Sequence, residues 1–208
     1  ESSFKGPVRV TGGGGTGKTV VALHRLKAPT SKLDENSKPV LFTTYTNALT
    51  TNLRSVVQSM QISPTKFKLI NVDAIAREIG LQLGILNETS RILDMPGSKK
   101  SDDIWEEVIE RNLSSFDARF LKSEYQSVWL ANNIGSPDEY YRTSRIGRGK
   151  PITRKQKIEL VNLVAIYEEI KSQHNLFDRG QLFNLLSNFY FNNSEKPYSH
   201  LIADEVQD

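Results

Sequence analysis

The sequence predicts an α/β fold, a parallel sheet flanked by helices, with a mostly helical insertion breaking the sheet's chain order. Three observations carry this. From the N-terminus to about Gly84, short β-prone apolar runs alternate with amphipathic helical stretches, the rhythm of βαβ units. From about Leu86 to Phe191 that rhythm gives way to helical periodicity alone. A strand pattern returns only at Leu201-Ile202-Ala203. The predicted division is therefore an α/β core from residues 1–85 and 192–208, with residues 86–191 as the insertion.

The elements follow in order. Val8-Arg9-Val10 reads as a short strand and Val20-Val21-Ala22-Leu23 as the first turns of a helix. Pro39 to Thr43 is a second β-prone run, after which Asn47 is positioned to cap a helix reaching about Met60. Phe67 to Ile70 is a third strand, followed by a helix through Ile75 and Ile79. Inside the insertion, Asp103 and Glu106 have capping-box spacing. Leu121, Tyr125, Val128 and Trp129 share one helical face, as do Leu160, Leu163, Val164 and Tyr167. Trp105 and Trp129 lie on such apolar faces and read as core.

Between the first strand and the first helix lies Gly12-Gly13-Gly14-Gly15-Thr16-Gly17-Lys18-Thr19, a complete G-x-x-x-x-G-K-T phosphate loop. Glycines let successive backbone N–H groups turn toward phosphate oxygens, and the helix that follows adds its free N-terminal N–H groups. Lys18 is expected to reach the β- and γ-phosphates, and the Thr19 hydroxyl to ligate Mg²⁺. The last strand runs into Asp204-Glu205, acids at the carboxyl end of an apolar strand, where ligands sit in open α/β sheets. Asp204 is the second expected Mg²⁺ ligand. Glu205 is placed to orient or deprotonate an attacking water. ATP and Mg²⁺ are the implied cofactors. The chemistry further requires the strand ending at Asp204 to reach Thr19, and the expectation is that it neighbours the strand leading into Gly12.

Composition is that of an ordinary globular chain: 25% charged, 38% hydrophobic, net charge +3. The mild positive charge is compatible with nucleic acid without arguing for it. There is no cysteine, so disulfide frameworks and thiolate metal sites are excluded, and a reducing cytosol is the simplest location. No apolar run is long enough for a membrane span. His24, His174 and His200 lack metal-ligand spacing.

The glycine loop with Leu23-His24-Arg25, then Thr44-Tyr45-Thr46-Asn47, then Asp204-Glu205-Val206-Gln207-Asp208, resembles the UvrD/Rep-type superfamily 1 DNA helicases in the order of their motifs I, Ia and II. Tyr141 to Gly149 resembles a segment of smaller UvrD-like subgroups. The resemblance runs from about Gly6 to Asp208. It implies a RecA-like P-loop NTPase core (subdomain 1A) carrying a helical 1B-like insertion, and the N-terminal part of an ATP-dependent DNA helicase or translocase. Gln207 joins the nucleotide-binding residues on this resemblance, and the remaining helicase domains are expected after Asp208. Two departures stand out: no adenine-reading glutamine motif precedes the loop, and Asp73 stands where the family often has His.

Single-stranded or junction DNA is the implied partner. Thr44, Tyr45, Thr46 and Asn47 leave a strand and enter a helix, and their hydroxyls and aromatic face suit a phosphate and a base. The same residues equally describe a capped helix with a packed tyrosine. Seven basic residues and no acid lie between Arg142 and Lys157; Arg145 and Arg148 in this Gly-containing stretch read either as a DNA clamp or as a solvated surface. A nucleotide-binding regulatory module that does not translocate is the alternative function. A small-molecule kinase is a third, opposed by Gln207-Asp208 and the size of the insertion.

Overall fold

The computed structural model describes residues 7–112, 114–146 and 151–205. They form a mixed α/β structure in two compact units. The first comprises Glu1–Arg77 with Asn193–Asp208, the second Glu78–Asn192.

The first unit holds helix α1 (Lys18–Thr30), strand β1 (Val40–Thr44), helix α2 (Asn47–Ser59), strand β2 (Phe67–Asn71), the start of helix α3 (Val72–Gln82) and the last strand β5 (His200–Ala203). The sheet has three parallel strands in the order β2-β1-β5. Val40 is in register with Phe67 on one side and His200 on the other. All five residues of the central β1 are buried, as expected of a strand covered on both faces. Val40, Phe42 and Leu69 pack with Leu23 and Leu26 of α1 and with Leu53 and Val57 of α2. Leu26, Val40 and Phe42 are wholly buried, each contributing about 1.5–3 kcal/mol of burial.

Three local expectations change here. Val8-Arg9-Val10 is exposed and lies outside any strand, so the neighbour of β5 is β1 and not the run leading into Gly12. Leu201 is accordingly exposed on the β5 edge. The cap of α2 is Thr46, not Asn47. Thr46 has extended backbone and its hydroxyl accepts from the Leu49 N–H at 3.2 Å, while Asn47 is already helical. Asn71 ends β2 and caps α3, accepting from the Ala74 N–H at 2.7 Å.

The second unit is mainly helical: α4 (Ser101–Asn112), α5 (Ala118–Glu124), a π-helical turn (Tyr125–Leu130), α6 (Pro137–Arg142), α7 (Arg154–Gln173) and α8 (Arg179–Asn192). It also contains a two-strand parallel pair, β3 (Arg91–Ile92) with β4 (Leu176–Phe177), which the helical periodicity did not signal. Strands of two residues are too short for a period to register. Leu121, Tyr125, Val128, Leu160, Leu163, Val164 and Tyr167 join the core with Trp105, whose ring stacks on Tyr167 at 3.9 Å between centroids. Trp129 packs against that core, partly buried. Helix α4 starts before Asp103, so the expected capping box is not its start. Instead Asp94 accepts from the Ser101 N–H and hydroxyl at 3.0 and 2.6 Å. The capping box of this unit is Thr153 with Gln156, opening α7.

Candidate nucleotide site

The glycine loop folds by its own local chemistry. Gly15 and Gly17 have φ of +73° and +82°, the left-handed region that a side chain resists. Gly17 is the N-cap of α1 and supplies no side-chain cap, which leaves the first N–H groups of the helix to an outside acceptor. The Thr16 hydroxyl donates to the Gly13 carbonyl at 2.8 Å. A Cβ on Gly12 would come within 2.6 Å of that hydroxyl oxygen. Lys18 Nζ reaches back across the loop and donates to the carbonyls of Gly12 and Gly13 at 3.0 and 2.9 Å. No acid lies in the first turn of α1, so nothing there competes with an anion.

The second half of the site arrives on β5. The Asp204 N–H continues the ladder by donating to the Thr43 carbonyl at 3.0 Å. That pairing fixes Asp204 just past the carboxyl edge of the sheet, largely buried. Its carboxylate accepts from the Thr19 hydroxyl at 2.7 Å, across 185 residues of sequence. Glu205 is held with a φ of +56°, uncommon for a residue with a side chain and a form of backbone strain that collects at functional sites.

The oxygens suit a hard cation. Two adjacent ligands of an octahedral Mg²⁺ lie about 3.0 Å apart, because its oxygen bonds are ~2.1 Å long. Thr19 Oγ1 and Asp204 Oδ2 are 2.7 Å apart. Among the described residues no group of three or more His, Cys, Asp or Glu side chains could hold a metal. One hydroxyl and one carboxylate match Mg²⁺, which keeps waters and substrate phosphates as its other ligands.

The sequence reading gave Thr43 no role beyond its strand and the stretch that enters α2. It pairs in register with Ala203, and its buried hydroxyl has no hydrogen-bond partner among the described residues. Strand position alone offered no signal for it.

The expected DNA contacts separate into two groups. Tyr45, Thr46 and Asn47 stand at the exposed start of α2. Thr44 does not join them: it is buried, its hydroxyl bonded to the Thr46 carbonyl at 3.1 Å and to the Thr50 hydroxyl at 2.7 Å. Arg145, expected on the surface, is also turned inward. Its guanidinium grips Glu124 through Nε at 2.5 Å and Nη2 at 2.8 Å, and the Tyr140 hydroxyl adds a bond to the same carboxylate at 2.9 Å. Glu124 is wholly buried, so it requires this cation. The Glu124 hydrogen bond holds the Arg145 pKa above its ordinary value. Burial, then Glu124, pushes the Tyr140 hydroxyl up. Arg148 and Gln207 lie outside the described residues.

Among the described residues no helix is long and apolar enough to cross a membrane. No curated protein matches the chain. The family model described as the UvrD/REP helicase N-terminal domain matches residues 1–208. With a phosphate loop and an acidic strand end joined through Thr19 and Asp204, the chain belongs to the UvrD/REP helicase N-terminal domain family.

Proposed function

We propose that this chain is the ATP-binding part of the motor of an ATP-dependent DNA helicase or translocase, and that the site just described is where ATP is hydrolysed. The observation that carries the reading is the Thr19–Asp204 hydrogen bond, which joins the two halves of a nucleotide site. In this reading the N–H groups of Gly13 to Thr19 cradle the phosphates. Lys18 exchanges the carbonyls of Gly12 and Gly13 for phosphate oxygens and offsets their charge. Thr19 and Asp204 would hold Mg²⁺, which would supply positive charge to stabilise the negative charge of the phosphates. Glu205 orients a water in line with the γ-phosphorus and takes its proton as the new P–O bond forms and the bond to the β-phosphate breaks. Tyr45, Thr46 and Asn47 meet single-stranded DNA at the start of α2, and Gln207 adds a nucleotide contact.

We take residues 1–85 with 192–208 as the 1A-like core and 86–191 as the 1B-like insertion. The two compact units, dividing at Arg77/Glu78 and Asn192/Asn193, support this partition. In this reading, which the family resemblance supports, further helicase domains follow Asp208. One of them supplies an arginine to the site, a contribution of ~10³–10⁵ in rate, so the 208 residues alone turn ATP over slowly.

Calorimetry and DNA-stimulated hydrolysis test the roles. Lys18→Ala should lower ATP affinity about a hundredfold or more, the worth of two charge-assisted contacts. In the complete helicase, Glu205→Gln should keep ATP affinity and lose hydrolysis by about 10²–10⁴. Equal loss of ATP affinity in both variants would refute the division of labour. Hydrolysis indifferent to single-stranded DNA would favour a regulatory nucleotide-binding module.

A further inference from the structure

The second unit carries a cavity of about 390 Å³ lined by Tyr141 of α6 and by Arg154, Lys157 and Ile158 of α7. The three α7 residues are spaced i, i+3 and i+4 and so share one face. Tyr141 and Ile158 are exposed, at 37% and 46%. Lys157 Nζ donates to the Tyr141 carbonyl at 3.1 Å and lies 5.8 Å from the Tyr140 ring centroid, which fixes its head beside the cavity. Neither Arg154 nor Lys157 has an acidic partner among the described residues. The nearest acid in sequence, Glu159, is taken by Ser114 and Ser115. The charge is not an accident of a crowded surface: Arg145, close by in sequence, is neutralised by Glu124, whereas these two cations are not. The first turn of α7 holds no acid, so the cations add to the positive end of the helix instead of offsetting it.

Two uncompensated cations beside an exposed aromatic and an exposed aliphatic side chain are the chemistry of an unpaired nucleotide: phosphates on the cations, a base on the ring. A duplex would satisfy the cations and leave Tyr141 and Ile158 unused, because its bases are already stacked on each other. The geometry points to a second nucleic-acid contact on the helical unit, in which single-stranded DNA lays a base against Tyr141 and Ile158 and neighbouring phosphates against Arg154 and Lys157. This rests on the motor reading only for the choice of polymer, and it requires no ATP.

The test is fluorescence anisotropy of the 208-residue chain with a labelled oligo(dT), and with a blunt duplex of equal length, without nucleotide. Arg154→Ala and Lys157→Glu should each weaken oligo(dT) binding several-fold. Together they should lower the salt slope by about 1.4, two single-strand phosphates. Tyr141→Ala should weaken oligo(dT) about tenfold and the duplex less than twofold, whereas Tyr141→Phe should match the parent. Lys155→Glu makes the same charge change on an exposed turn outside the cavity and should cost less than twofold. Equal loss with Lys155→Glu and Lys157→Glu would overturn the site in favour of diffuse charge. Equal loss of duplex and oligo(dT) on Tyr141→Ala, or no loss at all, would overturn the base contact. Arg154→Ala alters only an exposed side chain, so its result does not depend on folding. Lys18→Ala should leave this binding unchanged; failure of ATP binding and failure of this site are thus read in separate assays.

Discussion

The two units handle charge in opposite ways. In the first, the polar groups of the candidate site stand on a glycine loop and a strand end, and the loop's N–H groups and the Lys18 ammonium are set where an outside anion can reach them. In the second, the strongest charges are buried and spent on one another. Lys171, almost wholly buried, donates to Asp178 at 2.6 Å and to Gln181 at 2.8 Å and pairs with Glu168 at 3.0 Å. It also lies over the rings of Tyr125 and Tyr167. Tyr125 donates to Glu168 and Tyr167 donates to Asp178, so the network closes on itself. A site for a charged ligand leaves its interactions incomplete, whereas a scaffold completes them. The difference marks the first unit as the part that offers a site to an anion and the buried core of the second, as distinct from its exposed Arg154 and Lys157, as a frame.

Breaking the frame should have the largest effect. Lys171→Met leaves Asp178 buried without its cation and should destabilise the second unit by about 3–5 kcal/mol, the usual cost of removing one partner of a buried pair. Hydrogen exchange along α7 measures it residue by residue. Protection lost in α7 and unchanged in β1 supports the contrast, and uniform loss in both units would break it.

The loop should respond more weakly and at chosen positions. Gly17→Ala forces a side chain into a φ of +82° and should cost about 1–2 kcal/mol. Gly14→Ala meets open space with no positive φ and should stay within about 0.5 kcal/mol. Urea unfolding of the two variants compares them directly; equal costs would mean that the loop does not hold the described conformation.

The smallest expected effect is on the response to alkali. Burial first, then the nearby Asp178, raises the pKa of both Tyr125 and Tyr167 above the ordinary 10.0. With folded values raised, the hydroxyls ionise first in the unfolded chain. Their contribution is therefore complete below pH 10 and is lost as pH rises beyond it, by about 1 kcal/mol per tyrosine near pH 11. The urea midpoint of the second unit should fall over that range, and Tyr167→Phe should flatten the fall. An unchanged midpoint would show these hydroxyls to be solvated.

Much of this was legible in the sequence because the signals are local. The phosphate loop is eight consecutive residues whose chemistry depends on backbone they carry themselves. The faces through Leu121 and Leu160 follow helical period, and burial follows the period. Local reading failed where two neighbours compete for one role, as with Thr46 and Asn47 at the start of α2: both are good caps, and the choice rests on where the backbone turns helical. It failed also at Arg145, whose nearest charged neighbours in sequence, Arg142 and Arg148, are basic and whose partner, Glu124, lies 21 residues away.

The sequence by itself determined the phosphate-loop motif, the βαβ rhythm and the helical character of the middle of the chain, since each is written in residue type and spacing over a few turns. Only the tertiary structure decided that β5 lies against β1 and that Thr44 and Arg145 face inward. It alone brought Arg154, Lys157 and Tyr141 around one cavity, and Asp204 to within 2.7 Å of Thr19. Those outcomes depend on which groups find partners across long stretches of chain: the two motifs named Thr19 and Asp204 as partners, but only the fold brings them into contact across 185 residues.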